Sequence, residues 1–198
     1  MDFYDTVKLN RSYRGYDESV AISRDDMLKL IDYTRFCPSS INFQPFKYFI
    51  SCDKDTNAKI QPLTGWARRL QAKMTLPHEG HMPTGFIVIC YDAAIGPNAQ
   101  RFSKDIGIVA QTILLGAVDM GLGGCMIGNF DPQKVKEAIA LEDGLEPVLI
   151  VALGKPDEKI VITDVPKDGD IGYYRDEDDV HYVPKRRLED IVLNYNQE

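Results

Sequence analysis

Along residues 106–120 the apolar positions Ile106, Val109, Ile113, Ala117 and Met120 recur at intervals of three and four, the spacing that lines one face of a helix. The remaining angles are scarcely more polar, being filled by Ile108, Ala110, Leu114, Leu115 and Val118. A helix that is apolar nearly all round must be covered on most sides, and a domain of this size seldom covers one unaided, so a second subunit is expected to share the burial. The run falls short of the roughly 20 apolar residues that cross a bilayer, and Asp105, Gln111 and Asp119 interrupt it. Gly121, Gly123, Gly124 and Gly128 follow, predicting a turn whose backbone N–H groups can approach something flat or anionic.

Two continuous apolar runs, GFIVICYD at 85–92 and PVLIVALG at 147–154, predict strands covered on both faces. FKYFISC at 46–52 is aromatic and β-branched and predicts a third strand. Ser23 with Asp26 three residues later predicts a helix N-terminus, and Met27, Leu30, Ile31 and Thr34 keep helical spacing until Pro38. Residues 2–9 predict a short helix presenting Phe3, Tyr4 and Val7. Asp131 and Pro132 predict an N-cap followed by proline at the first helical position, with Val135, Ala138 and Ile139 turned inward.

Between 53 and 84 the pattern is weakest: a helix over 58–63 interrupted by Pro62, then WARRLQAKM with Trp66 as a packing residue, then a loop with Pro77, Gly80 and Pro83. Residues 98–103 lead into the central helix. Beyond Lys155 the chain turns polar; the stretch at 167–170 and the acidic DEDD at 176–179 are expected to be solvated loop, before an amphipathic run through Leu188, Ile191 and Val192. No internal repeat or low-complexity linker interrupts the 198 residues, and one domain spanning 1–198 is expected.

Composition narrows the partners. Thirty acidic residues against 23 basic give a formal charge of -7, which argues against nucleic acid or an anionic membrane. Cys37, Cys52, Cys90 and Cys125 are scattered without a C-x-x-C pair, as expected of small buried side chains in a reducing cytoplasm. The opening MDFYDTVKLNR carries early acids and no apolar core flanked by positive charge, unlike a signal peptide.

Three polar stretches carry candidate chemistry. NRSYR places Arg11 and Arg14 around Ser12; the group is either a solvated loop meeting surface carboxylates or an anion clamp, since guanidinium forks and a hydroxyl suit phosphate oxygens. PSSINFQPF sets Ser39, Ser40, Asn42 and Gln44 between two prolines; it is either an ordinary turn or a set of amides for a heterocycle edge. His78 and His81 form H-x-x-H with no further ligands of matching type nearby, which favours a solvated loop over a metal site. GLGGCM is not a dinucleotide fingerprint, because Met126 holds the third glycine position and a helix precedes it.

Taken in order, NRSYR, PSSINFQPF, DIGIVAQTILLGAVDMGLGGCMIGNFD, and GKP followed by PKRR resemble the nitroreductase family over nearly the whole chain, from Asp5 to Ile191. The resemblance implies an α+β fold, a three-layer α/β/α sandwich with a mixed central sheet, flanking helices and a central helix buried in a homodimer. It also implies that residues 155–198 pack on the partner subunit. The implied activity is that of an FMN-dependent oxidoreductase passing hydride from NADH or NADPH through bound flavin to a small acceptor such as a nitroaromatic, quinone or enone.

By matching position, Asn10, Arg11, Ser12 and Arg14 would bind the phosphate and the pyrimidine side of the flavin. Pro38, Ser39, Ser40, Asn42 and Gln44 would approach it from the partner subunit. Backbone at Ile127, Gly128 and Asn129 would face the reactive ring nitrogen, and Lys185 with Arg187 would complete the phosphate site, Arg186 replacing Arg187 if the register differs by one. No side-chain nucleophile is required, and Cys125 is expected to pack.

The sequence also departs from the pattern: Asn10 stands where many relatives have arginine, Phe46 and Met126 where tryptophan is common, and 53–84 has no clear counterpart. Two other readings follow, a flavin-binding or flavin-sensing homodimer without turnover, and a cofactor-free dimer in which NRSYR and PKRR are merely solvated.

Overall fold

A computed structural model describes residues 1–95, 99–167 and 169–195. Asn98, at the start of the lead-in to the central helix, and Asp168, within the polar stretch 167–170, lie outside the described residues. The chain forms two compact units, Met1–Trp66 with Leu76–Asp157, and Ala67–Thr75 with Glu158–Glu198.

The first unit runs α1 (Phe3–Leu9), β1 (Tyr16–Asp17), α2 (Arg24–Thr34), β2 (Phe46–Ser51), α3 (Lys54–Ile60), β3 (Gly85–Asp92), α4 (Ser103–Asp119), β4 (Gly123–Ile127), α5 (Pro132–Ala138) and β5 (Leu145–Pro156). Its sheet has the order β1-β5-β3-β2, with β4 also on β5. These strand pairs are antiparallel, and a parallel bridge joins Ser12 to Gly124. β5 is twelve residues long, which lets it pair with β3 over 145–153, β4 over 150–154 and β1 at 155–156. Between Leu149, opposite Ile89, and Pro147, opposite Cys90, Val148 is an extra residue that bulges β5.

Period-two alternation sorts the strands between two layers of helices. Ile87, Ile89, Val151 and Leu153 share one core with Met27 and Leu30 of α2 and with Val109, Ile113, Leu114 and Ala117 of α4. Each of these side chains larger than alanine contributes about 1.5–3 kcal/mol on burial. On the opposite face Phe86, Val88, Ile150 and Ala152 are buried too, where α3 contacts β3 and α5 contacts β5. Burial on both faces explains why β3 reads as one unbroken apolar run.

α2 starts as the sequence predicts: the Ser23 hydroxyl accepts from Asp26 N–H, and the Asp26 carboxylate accepts from Ser23 N–H. α4 begins three residues before the expected 106, its polar first turn Ser103-Lys104-Asp105 having hidden the start. It ends in a Schellman motif, with Gly121 at φ 72° donating to Val118 O at 2.9 Å and Leu122 donating to Ala117 O at 2.8 Å.

Two expectations are corrected. The glycine stretch is a turn only at Gly121; Gly123 and Gly124 lie inside β4, because protein atoms fill the space a side chain would need. A Cβ at Gly123 would stand 2.7 Å from Pro156 Cγ and against the Tyr13 ring, and one at Gly124 would stand 2.7 Å from Leu114 Cδ2 and 2.8 Å from Leu153 Cδ2. The helix expected over 58–63 is α3, which starts at Lys54 under an Asp53 cap that accepts from Thr56 N–H at 2.9 Å; Pro62 falls in a following 3-10 turn, Gln61–Leu63.

In the second unit the described residues of 167–170 and 176–179 are loop and turn, as expected, and the stretches around them build a sheet that the pattern did not predict: β6 (Ile160–Asp164) pairs in parallel with β8 (His181–Lys185), and β7 (Tyr174–Arg175) pairs antiparallel with β8, before α6 (Leu188–Ile191). An ion cluster joins its strands and turns. The Arg175 guanidinium, 1% exposed, meets the buried Glu158 carboxylate and donates to Asp179 Oδ2 at 2.8 Å. The DEDD stretch therefore supplies a counter-charge through Asp179 at the β7–β8 turn, besides its solvated positions. Among the described residues no helix is long and apolar enough to cross a membrane.

Candidate functional site

The NRSYR stretch leaves the C-terminus of α1, where Asn10 is the C-cap and donates its N–H to Thr6 O at 3.0 Å. Extended backbone then crosses to β4: Ser12 forms the parallel bridge with Gly124, and Tyr13 N–H donates to Gly124 O at 3.1 Å. The Tyr13 ring occupies the space that the missing Gly123 side chain leaves, and its hydroxyl donates to Leu9 O at 2.9 Å. This fixes the positions of both arginines. Arg14 donates from Nη1 to Ser12 O at 3.1 Å.

Arg11 donates from Nη2 to Val7 O at 3.1 Å, while its Nε is buried and makes no hydrogen bond. Among the described residues no carboxylate pairs with Arg11. Burial lowers its pKa from the ordinary arginine value, with the Tyr13 phenol acting in the opposite sense. A partly desolvated guanidinium with an idle donor has the capacity to pair with an anion.

PSSINFQPF forms a second organised feature. Pro38 and Ser39 follow α2, and a 3-10 turn, Ser40–Asn42, comes next. Three non-glycine residues take left-handed backbone, Ile41 at φ 47°, Asn42 at φ 57° and Gln44 at φ 51°. A β-branched residue there is a genuine outlier, and such positions cost on the order of 1–3 kcal/mol each unless their surroundings hold them.

Asp105, in the first turn of α4 and 5% exposed, is what holds them. Its Oδ2 accepts from the Ser39 hydroxyl at 2.8 Å and from Ser40 N–H at 2.7 Å, and the Ser39 hydroxyl oxygen accepts from Gln44 N–H at 3.0 Å. The Asn42 and Gln44 side chains are exposed, with Gln44 Nε2 donating to Asn42 Oδ1 at 3.0 Å. Behind the loop lies a cavity of about 160 Å³ whose lining includes Cys37, Pro38, Ser39, Tyr48 and Asp105. Burial pushes the Tyr48 phenol above its ordinary pKa, partly opposed by its hydrogen bond with Thr34.

At the far end of β4, Ile127 is buried while Gly128 and Asn129 are exposed. A Cβ at Gly128 would have no atom within 4 Å, in contrast to Gly123 and Gly124. Asn129 O accepts from Gly65 N–H at 2.7 Å, and Thr64 bridges Phe130 beside it. Trp66 is a packing residue, 5% exposed, with Nε1 donating to Thr64 Oγ1 at 2.7 Å. Cys125 is buried and its thiol faces Met126 O at 3.5 Å, consistent with packing. His81 Nδ1 lies 3.1 Å from Asp157 Oδ2 on the surface.

In the second unit Lys185 lies in register with Asp164, and Arg187 is within ion-pair distance of two carboxylates, Asp164 and Glu189. Lys185 closes β8 opposite Asp164, and Arg187 Nε lies 3.4 Å from Asp164 Oδ2. Of the expected site residues, the first unit thus links Arg11, Ser12 and Arg14 to the strand leading to Ile127–Asn129, and it gathers Ser39, Ser40 and Gln44 around a single carboxylate.

Two contributors were missed in the sequence. Asp105 read only as an interruption of an apolar helix, although an acid in a first turn beside a PSS stretch is a fit cap for that loop. Gly65 lay in the unreadable 53–84 segment; a Cβ there would collide with the Asn129 side chain.

A model of the nitroreductase family matches residues 8–155. The oxygen-insensitive NADPH nitroreductase of Helicobacter pylori is 27% identical over 176 residues, covering 73% of this chain and 82% of that protein. Among solved structures, a nitroreductase family protein from Clostridium novyi is similar at a TM-score of 0.64 and 28% identity, covering 79% of this chain and 87% of that one. An FMN-dependent nitroreductase from Clostridium difficile gives a TM-score of 0.64 at 21% identity, covering 79% and 89% respectively.

Proposed function

The chain belongs to the nitroreductase family, and from that premise we propose that it is an oxidoreductase that binds FMN as a homodimer and passes hydride from NADH or NADPH to a small acceptor. The observation that carries the reading is Arg11, a partly desolvated cation with no carboxylate among the described residues, tied through the Ser12 bridge to β4. An FMN phosphate is the counter-charge this arrangement lacks. Gly128 supports the reading from the other end of β4, because its backbone is open to a flat ring with no side chain in the way.

On this reading Arg11, Ser12 and Arg14 hold the phosphate and the pyrimidine side, with Asn10 setting where the loop leaves α1. Backbone at Ile127, Gly128 and Asn129 orients the ring. Pro38, Ser39, Ser40, Asn42 and Gln44 are supplied by the other subunit. Lys185 and Arg187 are assigned to the phosphate by their place in the family pattern. When bound, FMN supplies the hydride chemistry, and the protein contributes binding, orientation and the electrostatic surroundings. Cationic donors aimed at the ring edge favour the electron-rich reduced form.

The homodimer is supported by apolar side chains left in the open. Phe3 and Tyr4 of α1 are 73% and 68% exposed, and Phe36 before the PSS loop and Ile41 within it are 77% and 65% exposed. Isolated chains seldom leave so many large apolar groups in water. Residues 155–198 are assigned to pack on the partner, consistent with the exposed Leu188, Ile191 and Leu193.

The test is the visible spectrum of the purified protein, reconstituted with FMN, before and after anaerobic NADH or NADPH. A flavin spectrum that bleaches, and returns when a quinone or nitroaromatic is added, is the expected result. Bound FMN that nicotinamide leaves oxidised would favour a flavin-binding dimer without turnover, and a protein that cannot be reconstituted would refute the reading.

A further inference from the structure

We infer that Asp105 is the positioning residue of the flavin site, acting through the strained loop at 39–44 and touching neither FMN nor substrate; this rests on the functional reading above. One carboxylate oxygen secures both ends of that loop. Asp105 Oδ2 receives the Ser39 hydroxyl and Ser40 N–H at the entry. Through the Ser39 hydroxyl oxygen it is linked to Gln44 N–H at the exit.

Between those two points the chain takes positive φ at Ile41, Asn42 and Gln44, conformations that these residue types avoid when free to relax. The strain is what presents the Asn42 and Gln44 amides outward as an exposed pair. Asp105 is buried and accepts from two neutral donors, so its role is geometric: removing it strands a hydroxyl and a backbone N–H.

The loop has a second anchor. The Phe43 ring lies 5.5 Å from that of Phe102, which is fully buried immediately before α4. Loss of Asp105 is therefore expected to leave the loop docked at Phe43 but free to relax at Ser39 and Gln44. The consequence falls on cofactor affinity and on the flavin's surroundings more than on the global fold.

The experiment compares wild type, Asp105→Ala, Asp105→Asn and Asp105→Glu by fluorescence titration with FMN, by the absorbance maximum of the bound flavin, and by thermal melting of the cofactor-free protein. Asp105→Ala should weaken FMN binding at least tenfold and shift the absorbance maximum. Asp105→Asn, which keeps an acceptor oxygen in place, should recover affinity to within about threefold of wild type, whereas Asp105→Glu, which moves the oxygen by one methylene, should not.

Asp105→Ala with wild-type FMN affinity and a lowered melting temperature would overturn the inference, since that is a purely structural role. Asp105→Asn as weak as Asp105→Ala would also overturn it. If Asp105→Ala does not fold, the contrast of Asn with Glu carries the test, and equal affinities for both refute it. A wild-type protein that binds no FMN refutes the functional reading and the inference with it; an indifferent Asp105→Ala in a protein that binds FMN refutes the inference alone.

Discussion

Gly124 and Gly128 stand four residues apart and are predicted to answer the same substitution in opposite ways. An alanine methyl at Gly124 would collide with the Ala152 carbonyl oxygen, besides standing 2.7 Å from Leu114 Cδ2 and 2.8 Å from Leu153 Cδ2. The side chains can yield, but the carbonyl belongs to β5, which is paired on both edges at that point. Overpacking of this kind costs about 1–3 kcal/mol. For a chain of this length each kcal/mol lowers the melting temperature by about 2–4 °C, so Gly124→Ala should melt about 2–12 °C below wild type. Because Ser12 and Tyr13 pair with Gly124, FMN affinity should fall with it.

At Gly128 the same methyl meets nothing within 4 Å, and the residue is not among the glycines at positive φ. Its effect on the cofactor-free protein should be neutral, or stabilising by about 0.4–1 kcal/mol through the unfolded chain. If the flavin ring rests on this backbone, however, the methyl stands in its place, and affinity should drop at least tenfold, about 1.4 kcal/mol. Thermal melting without cofactor and fluorescence titration with FMN separate the two effects. Gly128→Ala with unchanged FMN affinity would refute the approach of the ring, and Gly124→Ala with an unchanged melting temperature would refute the packing argument.

Arg11→Ala should weaken FMN binding by about 1.5–3 kcal/mol, the worth of a charged hydrogen bond, while barely moving the melting point; titration showing wild-type affinity would remove Arg11 from the site. Leu114→Asp places a charge in the core formed by α4 and the sheet, so it should unfold the chain, whereas Ile108→Asp, at a position 37% exposed on the outer side of α4, should leave a folded chain of half the dimer's mass. Light scattering that finds Ile108→Asp still dimeric would take α4 out of the interface. Burial pushes the Cys90 thiol from 9.0 to about 12. Between those values the unfolded chain has released a proton that the folded chain keeps, so stability should fall as pH rises above about 9, by up to about 1.4 kcal/mol per pH unit. Urea denaturation at about pH 8, 9 and 10 checks this, and an equal slope in Cys90→Ala would refute the assignment.

What the sequence made legible is what short-range patterns determine. Ser23 and Asp26 cap their own helix, and β3 is apolar at every position because both of its faces are covered. What it concealed depends on distant partners. Gly123 and Gly124 resemble a turn until β5, some thirty residues on, is laid beside them. The sheet of β6, β7 and β8 was not legible because β6 and β8 pair in parallel across twenty residues, and because the charge of Arg175 is met by Glu158 and Asp179 from outside its own strand. Asp105 was invisible as a site residue for the same reason: its hydrogen-bond partners lie 65 and 66 residues upstream.

Arg175 also bears on how Arg11 is understood. This chain carries 30 acidic residues against 23 basic ones, so carboxylates are in surplus. Where a guanidinium is buried for structural reasons alone, at Arg175, the fold surrounds it with two of them. Arg11 is desolvated enough for its pKa to be lowered, and yet it donates to a backbone carbonyl and meets no carboxylate among the described residues. A fold that gives one buried arginine two carboxylates and leaves a second, partly desolvated one without any among the described residues is consistent with a counter-charge that arrives from outside the chain. On the proposed reading the phosphate of FMN supplies that charge, and the same logic makes the expected loss of affinity in Arg11→Ala larger than any loss of stability.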